Sequence, residues 1–292
     1  MEFQALRVFV EVVRQNGFSR AAAVVHTTQS TVSKAIKQLE HELGAPLVNR
    51  AGHRIVVTEI GEVVYRQALK ILAERENLLT GLNDLRGLES GTLRLGLPPV
   101  NTSSIFAPVF ALYRNRYPAI DIQLTEQGGE QLKAKVLSCE VDLAVALLPI
   151  SDAFEWQEVI REPLVAVLPP QHELLIRETV DLPSLQHLAF ILFDSGYSIS
   201  RVIMDACKRR GFEPTVVAQS CQIEFIVELA LSGLGVGFLP RIIAEQRGVR
   251  YVVLAEPQTE WHLAMVWRRD SYLSNAARAW LELLQTRRGT FA

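Results

Sequence analysis

Apolar side chains near the start of the chain recur every three or four positions. Phe3, Leu6, Phe9, Val10 and Val13 share one face of a helix, which Asn16-Gly17 ends. Phe18-Ser19 opens a second helix, with Ser19 expected as its N-cap before Ala21-Ala22-Ala23-Val24-Val25. A short turn at His26-Thr27-Thr28 leads into a third helix, Gln29 to Leu43, and Gly44 stands where a helix C-cap favours glycine. Within that helix Val32, Ile36 and Leu39 are expected to face inward. Residues Pro46 to Val57 alternate loosely around Gly52, the pattern of a small β-hairpin.

From Thr58 to about Leu88 the pattern becomes one uninterrupted helix. Thr58 can cap it, and Glu59 and Glu62 suit its positive end. Ile60, Val64, Ala68, Ile71, Leu78, Leu82 and Leu85 form a continuous apolar stripe. Roughly thirty residues at 1.5 Å each span ~45 Å. A helix that long with one apolar face needs a partner; a second copy supplies one, and packing on the chain's own C-terminal part is the alternative.

Gly87-Leu88-Glu89-Ser90-Gly91 marks a boundary. Beyond it strands are expected at 92–97, 120–125, 141–147, 164–168, 214–218, 236–239, 249–254 and 262–267, and helices at 102–116, 130–138, 199–210, 223–231 and 271–286. Strands separated by helix-length segments imply βαβ units and parallel sheets, here enough for two lobes with a cleft between them. No internal repeat is visible. The fold class is an α/β multidomain protein: an N-terminal winged helix-turn-helix over 1–58, a linker helix over 59–90, and a C-terminal bilobal Rossmann-like domain over 91–292. Its first lobe is expected at about 91–162 and 266–292, and its second at about 163–265.

Composition changes this picture little. With 49% hydrophobic and 21% charged residues over 292 positions, the chain is that of an ordinary folded protein. No stretch approaches the ~20 apolar residues of a membrane span, and Met1-Glu2-Phe3 opens directly into an amphipathic helix, so no signal peptide or membrane partner is expected. The cysteines Cys139, Cys207 and Cys221 are scattered and form no CxxC pair, which argues against disulfides and zinc and suits a reducing cytoplasm. Charge is more informative. Residues 1–58 hold seven Lys/Arg against four Asp/Glu, a net +3; the whole chain carries −2, so the remainder sums to −5. A basic head on an acidic body points to an anionic partner for the head.

The chemistry concentrates in Phe18-Ser19-Arg20-Ala21-Ala22 and in Gln29-Ser30-Thr31-Val32-Ser33-Lys34-Ala35-Ile36-Lys37-Gln38-Leu39-Glu40. The second helix opens with small hydrogen-bonding side chains, as a recognition helix must if its first turn is to reach base edges in the major groove. Gln29 suits adenine, Ser30, Thr31 and Ser33 suit several bases or phosphates, and Lys34 and Lys37 face the backbone about one turn apart. Arg50, His53 and Arg54 sit on the hairpin, where a wing touches backbone or minor groove.

These two helices, with Leu43-Gly44-Ala45-Pro46-Leu47-Val48-Asn49-Arg50 and Thr58-Glu59-Ile60-Gly61, resemble the DNA-binding head of LysR-type transcriptional regulators. Arg116-Tyr117-Pro118, Val141-Asp142-Leu143-Ala144 and Gly233 to Pro240 resemble landmarks of that family's effector domain. Two departures stand out: Ser30 where proline is usual, and Val48 where phenylalanine is usual. The resemblance implies a homodimer through the long helix, commonly doubled to a tetramer, bound to an interrupted inverted repeat near a promoter. It implies a small-molecule effector between two lobes, and no reaction, cofactor or metal. The family's effector positions map to Asn101, Thr102 and Ser103 at a helix N-terminus, to Gln127 and Gly129 after the next strand, and to Ser195 and Ser220 on the facing lobe. A helix start rich in hydroxyls suits a carboxylate or another small anion; the plainer reading of such residues is N-capping.

Other readings are weaker. A solute-binding protein of the same bilobal architecture is disfavoured by the head. An enzyme is disfavoured because the six histidines make no HExxH, no GxSxG elbow exists, and no nucleophile–base pair can be assembled. Gly233, Gly235 and Gly237 follow a helix and precede a strand, so they read as a close-packed turn and not as a dinucleotide loop.

Overall fold

A computed structural model describes residues 1–51, 54–85, 91–98, 103–194 and 197–287. In chain order the elements are α1 (Phe3–Arg14), α2 (Phe18–Val24), α3 (Gln29–Leu43), β1 (Val48–Ala51), β2 (Arg54–Val57), α4 (Glu59–Leu85), β3 (Gly91–Leu97), α5 (Ser103–Arg116), β4 (Ile120–Glu126), α6 (Gly129–Leu137), β5 (Leu143–Leu147) and β6 (Phe154–Val167). There follow β7 (Thr179–Val180), α7 (Leu182–Leu185), β8 (Phe190–Phe193), α8 (Ser198–Arg209), β9 (Val216–Ser220), α9 (Ile223–Leu231), β10 (Val236–Pro240), α10 (Arg241–Gln246), β11 (Tyr251–Leu254), β12 (Glu260–Arg268) and α11 (Asn275–Arg287). The chain divides into two compact units, Met1–Leu88 with Ser138–Glu140, and Glu89–Leu137 with Val141–Ala292.

The first unit has its own core. Phe9, Val12, Val32, Ile36, Leu39 and Leu47 are buried together, joined by Ala68 and Leu69 from α4. The inward face of α3 is therefore the one its periodicity indicates. Ser19 differs from its expected place: α2 starts at Phe18 behind Gly17, so Ser19 lies inside the helix. Its hydroxyl donates to Gln29 Oε1 at 3.0 Å, which ties the two helices of the motif together. Thr58 does cap α4, its Oγ1 accepting from the Gly61 N–H at 2.9 Å while donating to the Pro46 carbonyl at 2.7 Å.

The second unit carries two sheets that share one long strand. The first runs β4-β3-β5-β12-β6 and the second β6-β10-β8-β9, with β11 pairing β6 and β7 pairing β11. Residues 154–163 of β6 pair with β12, and residues 164–167 pair with β10 and β11. Each lobe repeats one plan. A central strand (β3 or β8), a helix, an edge strand (β4 or β9), a second helix and an inner strand (β5 or β10) follow in sequence, all three strands parallel. The antiparallel strands β12 and β6 are the addition that expected all-parallel sheets lacked. Asp142 locks the first lobe together: its Oδ2 accepts from the Arg94 N–H at 2.7 Å, and its own N–H bonds the Arg94 carbonyl at 2.9 Å. Gly235 packs against the Ala189 carbonyl, where a Cβ would approach to 2.3 Å, so the glycine segment is a close-packed helix-to-strand turn.

Candidate nucleic-acid interface and ligand cleft

All six predicted recognition residues of α3 lie on that helix. Gln29, Ser30, Thr31, Lys34 and Lys37 are exposed, and Ser33 is half-buried. Thr28 caps the helix by accepting from the Thr31 N–H at 3.2 Å. Its hydroxyl also lies 2.9 Å from those of both Ser30 and Thr31, so a ring of small hydroxyls surrounds the positive end. Among the described residues neither Lys34 nor Lys37 has an ion-pair partner.

The hairpin is held by a residue the sequence reading passed over. Glu40 Oε1 accepts from the backbone N–H groups of Leu47 and Val48 at 2.8 and 3.3 Å. The recognition helix and the wing thus share an anchor. Arg50 lies in β1 opposite Ile55, and Arg54 in β2 opposite Ala51; His53 lies outside the described residues. Val48 is half-buried and packs on the head's core in place of a larger aromatic.

In the second unit a cleft open to solvent is lined by Pro98, Gly129, Val145, Ala146, Leu147, Phe193, Tyr197, Ser198, Ile199, Trp261 and Leu263. It sits past the carboxyl ends of β3, β5 and β8, the place where α/β sheets leave a crevice. Of the effector positions, Gly129 begins α6 and is in the cleft wall, and a Cβ there would stand 3.5 Å from Ser198 Oγ of the other lobe. Ser103 begins α5. Gln127 lies between β4 and α6, its N–H donating to the Leu97 carbonyl at 3.4 Å. Ser220 ends β9, and its hydroxyl accepts from the Gln222 N–H at 3.0 Å, a local turn bond. Asn101, Thr102 and Ser195 lie outside the described residues. Tyr197, Ser198, Trp261 and Leu263 were not foreseen as lining. The lobe repeat would have pointed to Ser198, which begins α8 as Ser103 begins α5.

Family models match both parts, the lysR-family bacterial regulatory helix-turn-helix at residues 3–62 and the LysR substrate binding domain at residues 86–289. The chain belongs to the LysR family of transcriptional regulators. It is 36% identical over 286 residues to the uncharacterized HTH-type transcriptional regulator YwbI of Bacillus subtilis, covering 97% of this chain and 95% of that protein. It is 30% identical to the RuBisCO operon transcriptional regulator of Allochromatium vinosum, covering 97% and 95%. Among solved structures it resembles a full-length OxyR cysteine variant from Pseudomonas aeruginosa, with a TM-score of 0.77 and 24% identity over 99% of this chain and 94% of that one. It also resembles full-length CbnR complexed with its target DNA, with a TM-score of 0.63 and 18% identity over 98% and 99%. At these identities the structures show the fold. The regulator thus joins a helix-turn-helix DNA-binding domain to an effector-binding domain, and the solute-binding alternative leaves residues 3–62 without a role. Among the described residues, no helix is long and apolar enough to cross a membrane.

Proposed function

We propose that residues 1–58 grip a promoter inverted repeat, that the 59–90 helix pairs two copies, and that a small effector bound in the 91–292 domain tunes the outcome. The observation that carries this is α3: Val32, Ile36 and Leu39 are buried, while its hydroxyl-rich, lysine-bearing face is left to solvent beside a wing anchored by Glu40. In this reading Gln29, Ser30, Thr31 and Ser33 reach bases or nearby phosphates, Lys34 and Lys37 meet phosphates, and Arg50, His53 and Arg54 serve the wing. The regulator acts in the cytoplasm as a dimer or tetramer and performs no reaction. Effector closure of the two lobes changes the angle between dimers, and hence the bend in the DNA.

The test is fluorescence anisotropy on the protein's own upstream DNA across a salt series, for wild type and Lys34→Ala. Affinity should fall steeply with salt, and the slope of log affinity against log salt should shrink by ~1 in the variant. An unchanged slope would remove Lys34 from the phosphates. Sequence-independent binding by both proteins would remove the operator reading.

A further inference from the structure

The walls of the cleft are hydrocarbon. Pro98, Val145, Leu147, Phe193, Trp261 and Leu263 supply most of the lining, and Trp261 is 4% exposed. Tyr197, Ser198 and the indole of Trp261 bring the polar side-chain atoms. Among the described residues, no side chain that lines the cleft is ionisable at neutral pH. Next to Gly129, Glu130 Oε1 takes Lys133 at 2.9 Å and Arg201 at 2.7 Å, two cations against one anion, which leaves that cluster one positive charge in excess. A multiply charged molecule entering here would give up its hydration and meet no buried counter-charge among the described residues. An apolar body would instead leave water itself and lie against Phe193, Trp261 and Leu263, which are already almost fully buried.

We infer that the cleft takes a small molecule with a hydrocarbon body, an aromatic ring or a branched aliphatic group, bearing at most one negative charge. This rests on the reading of the cleft as the effector site and names the class of effector.

The experiment uses the full-length protein and two series of probes: benzamide, benzoate and cyclohexanecarboxylate against citrate and glycerol 3-phosphate. Tryptophan emission and melting temperature are read together. The first series should shift both, and the second should shift neither. Trp261→Phe should remove most of the emission response while leaving the thermal shift. Leu147→Arg, which places a charge in the wall, should weaken the first series by about tenfold or more. Should that variant misfold, Gly129→Leu fills the mouth from the surface and should do the same. Silence of the first series at millimolar concentration overturns the inference, as does binding indifferent to both cleft variants. A Trp261-dependent response to citrate or glycerol 3-phosphate also overturns the class but keeps the cleft as the effector site. Binding of the first series with no bound probe altering DNA affinity keeps the class and removes the effector reading.

Discussion

Arg201 of α8 and Glu130 of α6 meet at 2.7 Å across the mouth of the cleft, one from each lobe. Lys133 and then Arg201, by hydrogen bonding, hold the Glu130 carboxyl below its ordinary range. The folded pKa is thus lower than the unfolded one, so the contribution is present above the unfolded value and lost as pH falls through the folded one. Both partners are about half exposed, so the coupling should be small, ~0.2–1 kcal/mol in a double-mutant cycle of Glu130→Gln and Arg201→Gln. Thermal melts should separate wild type from Glu130→Gln at neutral pH and converge in acid below the carboxylate range. A gap of equal size at both ends would mean that the ion pair does not hold the lobes.

Gly61 is required by contact. A Cβ there would stand 2.1 Å from the Leu47 carbonyl oxygen and 2.8 Å from Val57. Leu47 is the residue whose N–H Glu40 holds, so any shift passes to the wing. Gly61→Ala should therefore cost ~1–3 kcal/mol of stability in the head, and DNA affinity should fall by more than unfolding alone explains. Chemical denaturation and anisotropy on the same preparation check this. A variant as stable as wild type would show that the start of α4 moves away freely.

The head was legible because its helices are amphipathic and its turns use residues with few alternatives. Val32, Ile36 and Leu39 sit at helical spacing, and Gly44 takes the left-handed φ of +68° that the C-cap needs. The second unit was legible only in part. β8 is a run of four buried apolar residues between parallel neighbours and has no alternation to mark it. The first ten residues of β6 look too polar for a strand. Their reason lies on β12, where Trp267 Nε1 donates to Glu155, His262 Nε2 meets Glu158 at 2.8 Å, and Arg161 pairs with Glu260. Cross-strand pairs cannot be read from one strand alone. The cleft suffered likewise: family position drew attention to hydroxyls, whereas Trp261 and Leu263 reach it on a strand some 130 positions later than Gly129.

The apolar stripe of α4 divides in two. Ala68 and Leu69 are buried in the head's core, whereas Leu78 and Leu82, one turn apart, are 64% and 45% exposed. In the proposed pairing of two copies, removing such side chains from water would be the source of dimer stability. Leu78→Glu with Leu82→Glu should leave the melting of the head nearly unchanged, since neither side chain is buried in one chain. Sedimentation should nevertheless show smaller assemblies, and affinity for a two-half-site operator should drop toward that for a single half-site. Unaltered sedimentation would place the interface elsewhere.

Cys207 and Cys221 should differ sharply as thiols. Cys207 lies on the buried face of α8, where burial above all, with Glu256 nearby, pushes its thiol up to about 11. At neutral pH its thiolate is on the order of one part in ten thousand, and the thiolate is the reactive form. Cys221 is exposed ahead of α9. Brief native alkylation read by mass spectrometry should mark Cys221 and spare Cys207 until denaturant is added. Rapid native labelling of Cys207 would require α8 to open. Because α8 begins in the cleft wall at Ser198, such opening would couple the thiol to the ligand site and give oxidant sensing a physical route that a closed core denies it.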